Sequence, residues 1–317
     1  MTRAGLRSSV AAATLFVVPS WLFPIPPPAT PPTADALEAP APLHVPGSAV
    51  TFTLAQTRDL FAPPDWFPAE HAPMPTAVAS GRRPAAYACG FCHLPDGRGR
   101  PENATVAGLP AEYIVQQVRD FASHTRVSAW TGTPYRPTVL MQQSAEAVTD
   151  ADLASAAAYF AAQPLRARRA EVIEAKTIPR MRIAAWLYVL DADGGEEPLG
   201  ERLIEAATDF GRHELRDPNT HYVAYVPPGS LDRGVAIATV ARGSTPACIG
   251  CHGPDLRGVG LVPPLAGRSP TYLLRQLVAF RTGARASVAG APMQPVVESL
   301  ELGDMIAVAA YAGSLPP

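Results

Sequence analysis

The stretch CGFCH at 89–93 sets two cysteines and a histidine at i, i+3 and i+4, and CIGCH repeats the pattern at 248–252. Three chemistries use such a triplet: a metal site, a redox-active thiol pair, or the covalent attachment of a haem. On one helical turn the three positions share a face, so two thiols can add to the vinyl groups of one haem while the imidazole reaches its iron. The two copies use every cysteine in the 317-residue chain, which leaves none for a disulfide or a thiol nucleophile. A thioredoxin-like pair needs its CxxC at the start of a helix in a βαβ unit, and no such pattern surrounds either copy. A zinc ion shared between two CxxC units would leave the histidine after each one without a purpose. Two haem c groups, one on Cys89 and Cys92 with His93 as axial ligand and one on Cys248 and Cys251 with His252, is the reading that uses every residue.

An internal duplication positions these triplets. Residues 89–126 align without a gap on 248–285, bringing Tyr113 onto Tyr272, Gln117 onto Gln276 and Phe121 onto Phe280. After a short insertion in the first half the match resumes, with Met141 on Met293 and Tyr159 on Tyr311. A haem iron needs a sixth ligand or an open site, and that choice separates electron carriers from catalysts. A lone methionine is more often core filling. Recurrence opposite a haem makes Met141 and Met293 the candidate axial thioethers, each expected in a Pro-containing loop just before a helix. The competitor in the first half is His124, whose counterpart is Gly283. Arg126 and Arg285 close the ungapped repeat. Each offers a forked donor suited to a haem propionate, against the plainer role of a solvated cation at a helix C-terminus.

Apolar spacing predicts helices in PAEYIVQQVRDF and SPTYLLRQLVAF and in the closing segments TDADLASAAAYFAA, capped by Thr149, and ELGDMIAVAAYAG. Further helices, over 75–92 and 229–242, would lead into each haem. This is a mainly α plan. Between the halves, RIAAWLYVL, the turn signal DADGG, PLGERLIEAA and HYVAYVPPGS read as short strands of a spacer. The segment 43–70 belongs to no repeat and reads as an extended arm anchored by Trp66 and Phe67. His71 and Met74 have no matched partner and are expected to be structural.

The combination of CxxCH, a G-R-G or R-G turn, VPPLAG, YLLRQL, a loop methionine and the closing VAAYAGSLPP resembles class I cytochromes c, and two such domains in one chain resemble the dihaem cytochrome c4 group. The resemblance covers about 75–163 and 229–317. It implies that Cys89, Cys92, His93 and Met141 bind one haem and Cys248, Cys251, His252 and Met293 the other. It also implies that a backbone carbonyl holds each imidazole, at Ala104 and Pro263. The long 164–228 segment departs from the group, whose domains are joined more directly.

The organisation expected is therefore a signal peptide or N-terminal anchor with a Pro-rich tether (1–36), an extended arm (37–74), a first cytochrome c domain (75–163), a connecting segment with short strands (164–228) and a second cytochrome c domain (229–317). Arg3 and Arg7 ahead of VAAATLFVVPSWLFPIP read as an export signal. Its apolar core is short for a bilayer span, ADA at 34–36 fits a cleavage site, and an uncleaved anchor giving membrane association is the alternative. Either route leads to the periplasm. A net charge of −2 offers no field for nucleic acid. The function expected is single-electron transfer between a donor dehydrogenase or respiratory complex and an oxidase or other acceptor. A dihaem enzyme of the peroxidase or thiosulfate dehydrogenase type, or a dehydrogenase's cytochrome subunit, is the alternative.

Overall fold

The computed structural model describes residues 16–28, 42–242 and 245–317. Arg3, Arg7 and the ADA stretch at 34–36 lie outside them. The first repeat unit contains α1 (Thr76–Ala79), α2 (Cys89–His93), α3 (Ala111–Ala122), α4 (Arg136–Ala147) and α5 (Asp150–Ala162). Its core joins Val78, Ile114, Ala157 and Phe160. The expected continuous helix over 75–92 is interrupted. Gly81 turns the chain at φ +60, where a Cβ would lie 2.2 Å from the Ala86 carbonyl oxygen, and Arg82 pairs with Ala86 in a short bridge around Pro84. The Cys-Cys-His triplet therefore sits on a separate turn that ends at Leu94, φ +66.

Residues 164–228 fold as a small module of mixed pairing. Strands β1 (Glu171–Glu174), β3 (Met181–Ala184), β4 (Leu187–Leu190), β6 (Ile204–Ala207) and β7 (Tyr222–Val226) form one sheet in the order β1-β7-β6-β4-β3, and β2 (Thr177–Pro179) pairs with β5 (Glu196–Pro198). RIAAWLYVL is a hairpin, since Ala185 and Trp186 both take positive φ and reverse the chain. The helix α6 (Phe210–Glu214) lies between β6 and β7. β6 is buried along its whole length, so this module has its own core.

The second domain contains α7 (Ser230–Thr239), α8 (Ile249–His252), α9 (Pro270–Arg281), a 3-10 turn (Val288–Met293), α10 (Gln294–Glu298) and α11 (Leu302–Ser314). α7 crosses α11 with Gly234 at the crossing, where a Cβ would lie 2.2 Å from the Ala307 carbonyl oxygen. The core around Leu274, Val278, Met305 and Ile306 also takes in Ala129 and Tyr135 of the first half and Leu22 and Phe23 near the N-terminus. Part of the apolar run read as an export segment is thus packed in the body. Leu22 is fully buried, and its carbonyl oxygen accepts a hydrogen bond from Arg275 Nε at 2.8 Å. No helix among the described residues is long and apolar enough to cross a membrane.

Thr149 caps α5 as its sequence suggests, its hydroxyl accepting from the Asp152 amide at 3.2 Å and donating to the Asp152 carboxylate at 2.9 Å. Thr149→Ala is expected to lower stability by about 1 kcal/mol, read as a lower midpoint in guanidinium denaturation of the haem-loaded protein.

Candidate haem sites and the seam between them

Each triplet is held by the same backbone frame. Past His93 the Gly99 amide donates to the His93 carbonyl at 2.8 Å, and past His252 the Gly258 amide does the same at 2.8 Å. His93 Nδ1 lies 2.8 Å from the Ala104 carbonyl oxygen and His252 Nδ1 2.9 Å from that of Pro263. In each case Nδ1 carries the proton and donates, which leaves the Nε2 lone pair for a metal. Burial lowers the pKa of both imidazoles, in the neutral form that a ligand needs.

Burial also pushes the Cys89 thiol up to about 12 and raises those of Cys92 and Cys248. A redox-active pair needs its thiolate favoured, and these surroundings do the opposite. No group of three or more His, Cys, Asp or Glu side chains among the described residues could hold a metal ion, so the two CxxC units do not share a zinc site. Instead Cys89, Cys92 and His93 open into a mostly apolar cleft of about 1500 Å³, counting its open mouth. Leu109, Ile114, Phe160 and Met141 are among its lining residues. Apolar walls beside two thiols and an imidazole suit a flat macrocycle bonded at one edge.

Met141 lies within α4, not in a loop, because Pro137 starts that helix early. Met293 ends the 3-10 turn and N-caps α10. His124 is exposed and stands 3.0 Å from Glu146, and it is not part of the cleft lining. His71 is tied to Asp65 and Tyr159 at 3.0 Å each, a structural role. Trp66 is buried, its indole N–H donating to the Leu215 carbonyl at 2.7 Å, so the arm is pinned to the inserted module.

Arg126 and Arg285 are buried, each 6% exposed, and so are not solvated helix ends. They pair with each other as a backbone bridge flanked by Val127 N–H to Ala284 O and Ala286 N–H to Thr125 O, both 2.8 Å. Arg126 Nη2 donates across the seam to the Tyr272 hydroxyl at 2.8 Å and Gln276 Oε1 at 2.7 Å. Arg285 Nη2 returns the pattern, to Tyr113 at 2.8 Å and Gln117 Oε1 at 2.6 Å. Each guanidinium also lies over a phenyl ring of its own domain, Phe121 at 4.5 Å and Phe280 at 4.4 Å. Arg285 Nε is buried with no acceptor among the described residues, a free donor of the kind a haem propionate would use.

No family model matches the chain. Cytochrome c-554(548) of Halomonas halodenitrificans is 38% identical over 68 residues, which cover 21% of this chain and 82% of that protein. The chain is a c-type cytochrome. Cytochrome c4 of Azotobacter vinelandii is 27% identical over 242 residues, 75% of this chain and 89% of the relative. The thiosulfate dehydrogenase electron acceptor of Stutzerimonas stutzeri (strain A1501) is 29% identical over 234 residues, 73% and 80%. The solved structure of reduced recombinant cytochrome c4 from Pseudomonas stutzeri aligns with 72% of this chain and 93% of its own at a TM-score of 0.47 and 23% identity. The relatives by sequence make the chain a dihaem electron-transfer cytochrome of the cytochrome c4-like group with two haem c groups, and its own helices make it mainly α.

Sequence reasoning did not find the residues that other segments lend to the first cleft. Phe23 from the N-terminal segment and Arg275 from α9 both line it. The repeat held one clue, because Arg275 falls on Gln116, an unmatched charge inside an otherwise apolar-spaced helix.

Arg285→Gln removes the donor to the Tyr113 hydroxyl and one of the two donors to Gln117 Oε1, the other being Arg126 Nη1 at 2.8 Å, a loss of about 1–3 kcal/mol. Thermal unfolding of the haem-loaded protein should then begin at the seam, seen as a lower and broader transition.

Proposed function

We propose that the protein is a periplasmic electron carrier in which both irons are six-coordinate, His93 with Met141 and His252 with Met293. The observation that carries this reading is the duplicated ligand set, each imidazole pinned by a carbonyl and each methionine recurring after the same helix. Haem supplies one-electron redox chemistry, and saturated ligation keeps other molecules off the iron. The chain's own residues hold the ring, exclude water and set its charge. Arg126 and Arg285 are offered to the propionates, a role supported by the unpaired Arg285 Nε.

Redox partners reach the second haem more easily than the first. Cys251 is exposed, and Val259 and Leu261 in the loop after it are each 59% exposed. At the first haem the Arg216 guanidinium lies 3.7 Å over Phe91 and donates to the Phe91 and Thr57 carbonyl oxygens. The inserted module and the arm thus cover that edge. Donors of the dehydrogenase class and acceptors of the oxidase class fit this role. Two relatives named thiosulfate dehydrogenase electron acceptor favour that dehydrogenase as one such donor. Retention of the N-terminal segment after export is supported by the burial of Leu22 and Phe23, which a cut after residue 36 would remove.

Extraction with acid and acetone should leave two haems on the chain, and the oxidised spectrum should show a sulfur-to-iron charge-transfer band. Met293→His should keep the second iron low-spin and lower its potential, because imidazole favours Fe(III) over a thioether. An unchanged redox titration would make Met293 a packing residue.

A further inference from the structure

The groups that simple electron carriage leaves without a role gather where the inserted module meets the first haem cleft. Glu102 follows His93 in the loop and lines that cleft, its side chain 3% exposed. Arg100 Nη2 stands 3.0 Å from Oε1, yet neither carboxylate oxygen receives a hydrogen bond among the described residues. Facing it from α6 is His213, 0% exposed, with Nε2 3.5 Å from the same Oε1. That nitrogen is also unpartnered, while Nδ1 lies 3.0 Å from the Tyr222 hydroxyl. With Nδ1–H donating to Tyr222, two lone-pair atoms of buried side chains face one another. His213 Nε2 is a buried acceptor without a donor, which is costly, and a proton on Glu102 Oε1 would supply one.

We propose that Glu102 and His213 form a proton-binding site whose occupancy is coupled to the redox state of the first haem. With a haem held at Cys89–His93, its oxidised form would carry one more positive charge and favour the Glu102 carboxylate, and one electron from a redox donor would remove that charge. One proton from solvent then forms an O–H bond at Glu102 Oε1, which donates to His213 Nε2. Nothing else is oxidised or reduced, and reoxidation by the acceptor returns the proton to solvent.

The surrounding charges suit this exchange. Burial raises the Glu102 carboxyl above its ordinary value, and Arg100 opposes that. Burial, then Arg100 and Arg216, holds His213 well below its own, so the imidazole stays neutral and the carboxyl takes the proton. The other groups acting on the pair come from three elements: Arg275 from α9, Tyr135 from the segment before α4, and Arg216 and Tyr222, with Glu214 nearby, from the inserted module. In the second half the position of Glu102 is Leu261, which makes the second haem an internal control. The inference rests on haem attachment at Cys89–His93 and holds whichever sixth ligand that iron takes.

The test is a redox titration of both haems in the haem-loaded protein from about pH 5 to 8, with Met293→His identifying the second haem's wave. The first haem's potential should fall as pH rises, by up to about 59 mV per unit for one proton per electron, while the second stays level. In Glu102→Gln, whose amide mimics the protonated carboxyl, the first potential should stay flat at the wild-type low-pH value. A reduced-minus-oxidised infrared spectrum of the wild type should show a protonated carboxyl band that Glu102→Gln lacks. A flat first haem in the wild type, or a slope and band that persist in Glu102→Gln, overturns the proposal. If Glu102→Gln does not load both haems, the wild-type carboxyl band decides: its presence with the slope supports the site, and its absence overturns it. Loss of the sulfur-to-iron band alone would count against methionine ligation and leave this site untouched.

Discussion

Two buried guanidinium groups at the seam between the domains constrain the rest of the molecule. A cation taken out of water must be met by acceptors, and neither domain supplies enough for its own arginine. Arg126 finds Tyr272 and Gln276 in the second domain, and Arg285 finds Tyr113 and Gln117 in the first. The two arginines therefore tie α3 and α9 together across the seam. The same arrangement completes the first haem cleft, whose wall includes Tyr272, Arg275, Gln276 and Ala279 of the second domain. One set of charge-assisted hydrogen bonds thus fixes domain geometry and a cofactor pocket together.

The inserted module changes the surroundings of one haem without altering its frame. Arg216 reaches from it across the CGFCH turn, and Arg98 donates to Pro218 O and Asn219 Oδ1 at 3.3 Å each. Among the described residues the second triplet has no such cover, and Cys251 is exposed. Because haem potential responds to burial, hydrogen bonding and nearby charge, two sites with one backbone acquire different properties through what is packed on them.

The triplets, the repeat and the amphipathic helices were legible because each is a pattern of spacing along the chain. Thr149 and the ranges of α3, α9 and α11 follow from local chemistry. The break at 75–92 was marked in the sequence, because Ser80-Gly81-Arg82-Arg83-Pro84 interrupts the apolar spacing with two breakers, and the expected continuous helix ran past them. The repeat marked Arg126 and Arg285 as equivalent but could not show that each serves the other domain, since partners across a seam leave no sequence period. His213 and Leu22 were illegible for the same reason. One has no repeat mate, and the other sits in a stretch whose composition reads as an export signal.

The halves share backbone shape at positions where their side chains differ. Leu94 and Gly253 are equivalent and both take positive φ, and so do Gly97 and Leu256, with leucine and glycine exchanged. At both of these points the loop takes the same backbone shape in each half and tolerates a side chain, while a third matched point, Gly99 and Gly258, is glycine in both. Charge has been less symmetric. Gln116 donates to Asp120 of its own domain at 2.7 Å, whereas its equivalent Arg275 crosses to the Pro101 carbonyl at 2.9 Å. The first haem thus receives cations from both halves, and Glu102 offsets them where the second half has only Leu261. A cation near the ring favours the electron and an anion disfavours it. The order of the two potentials therefore depends on a charge balance at the first site that the duplication did not copy to the second.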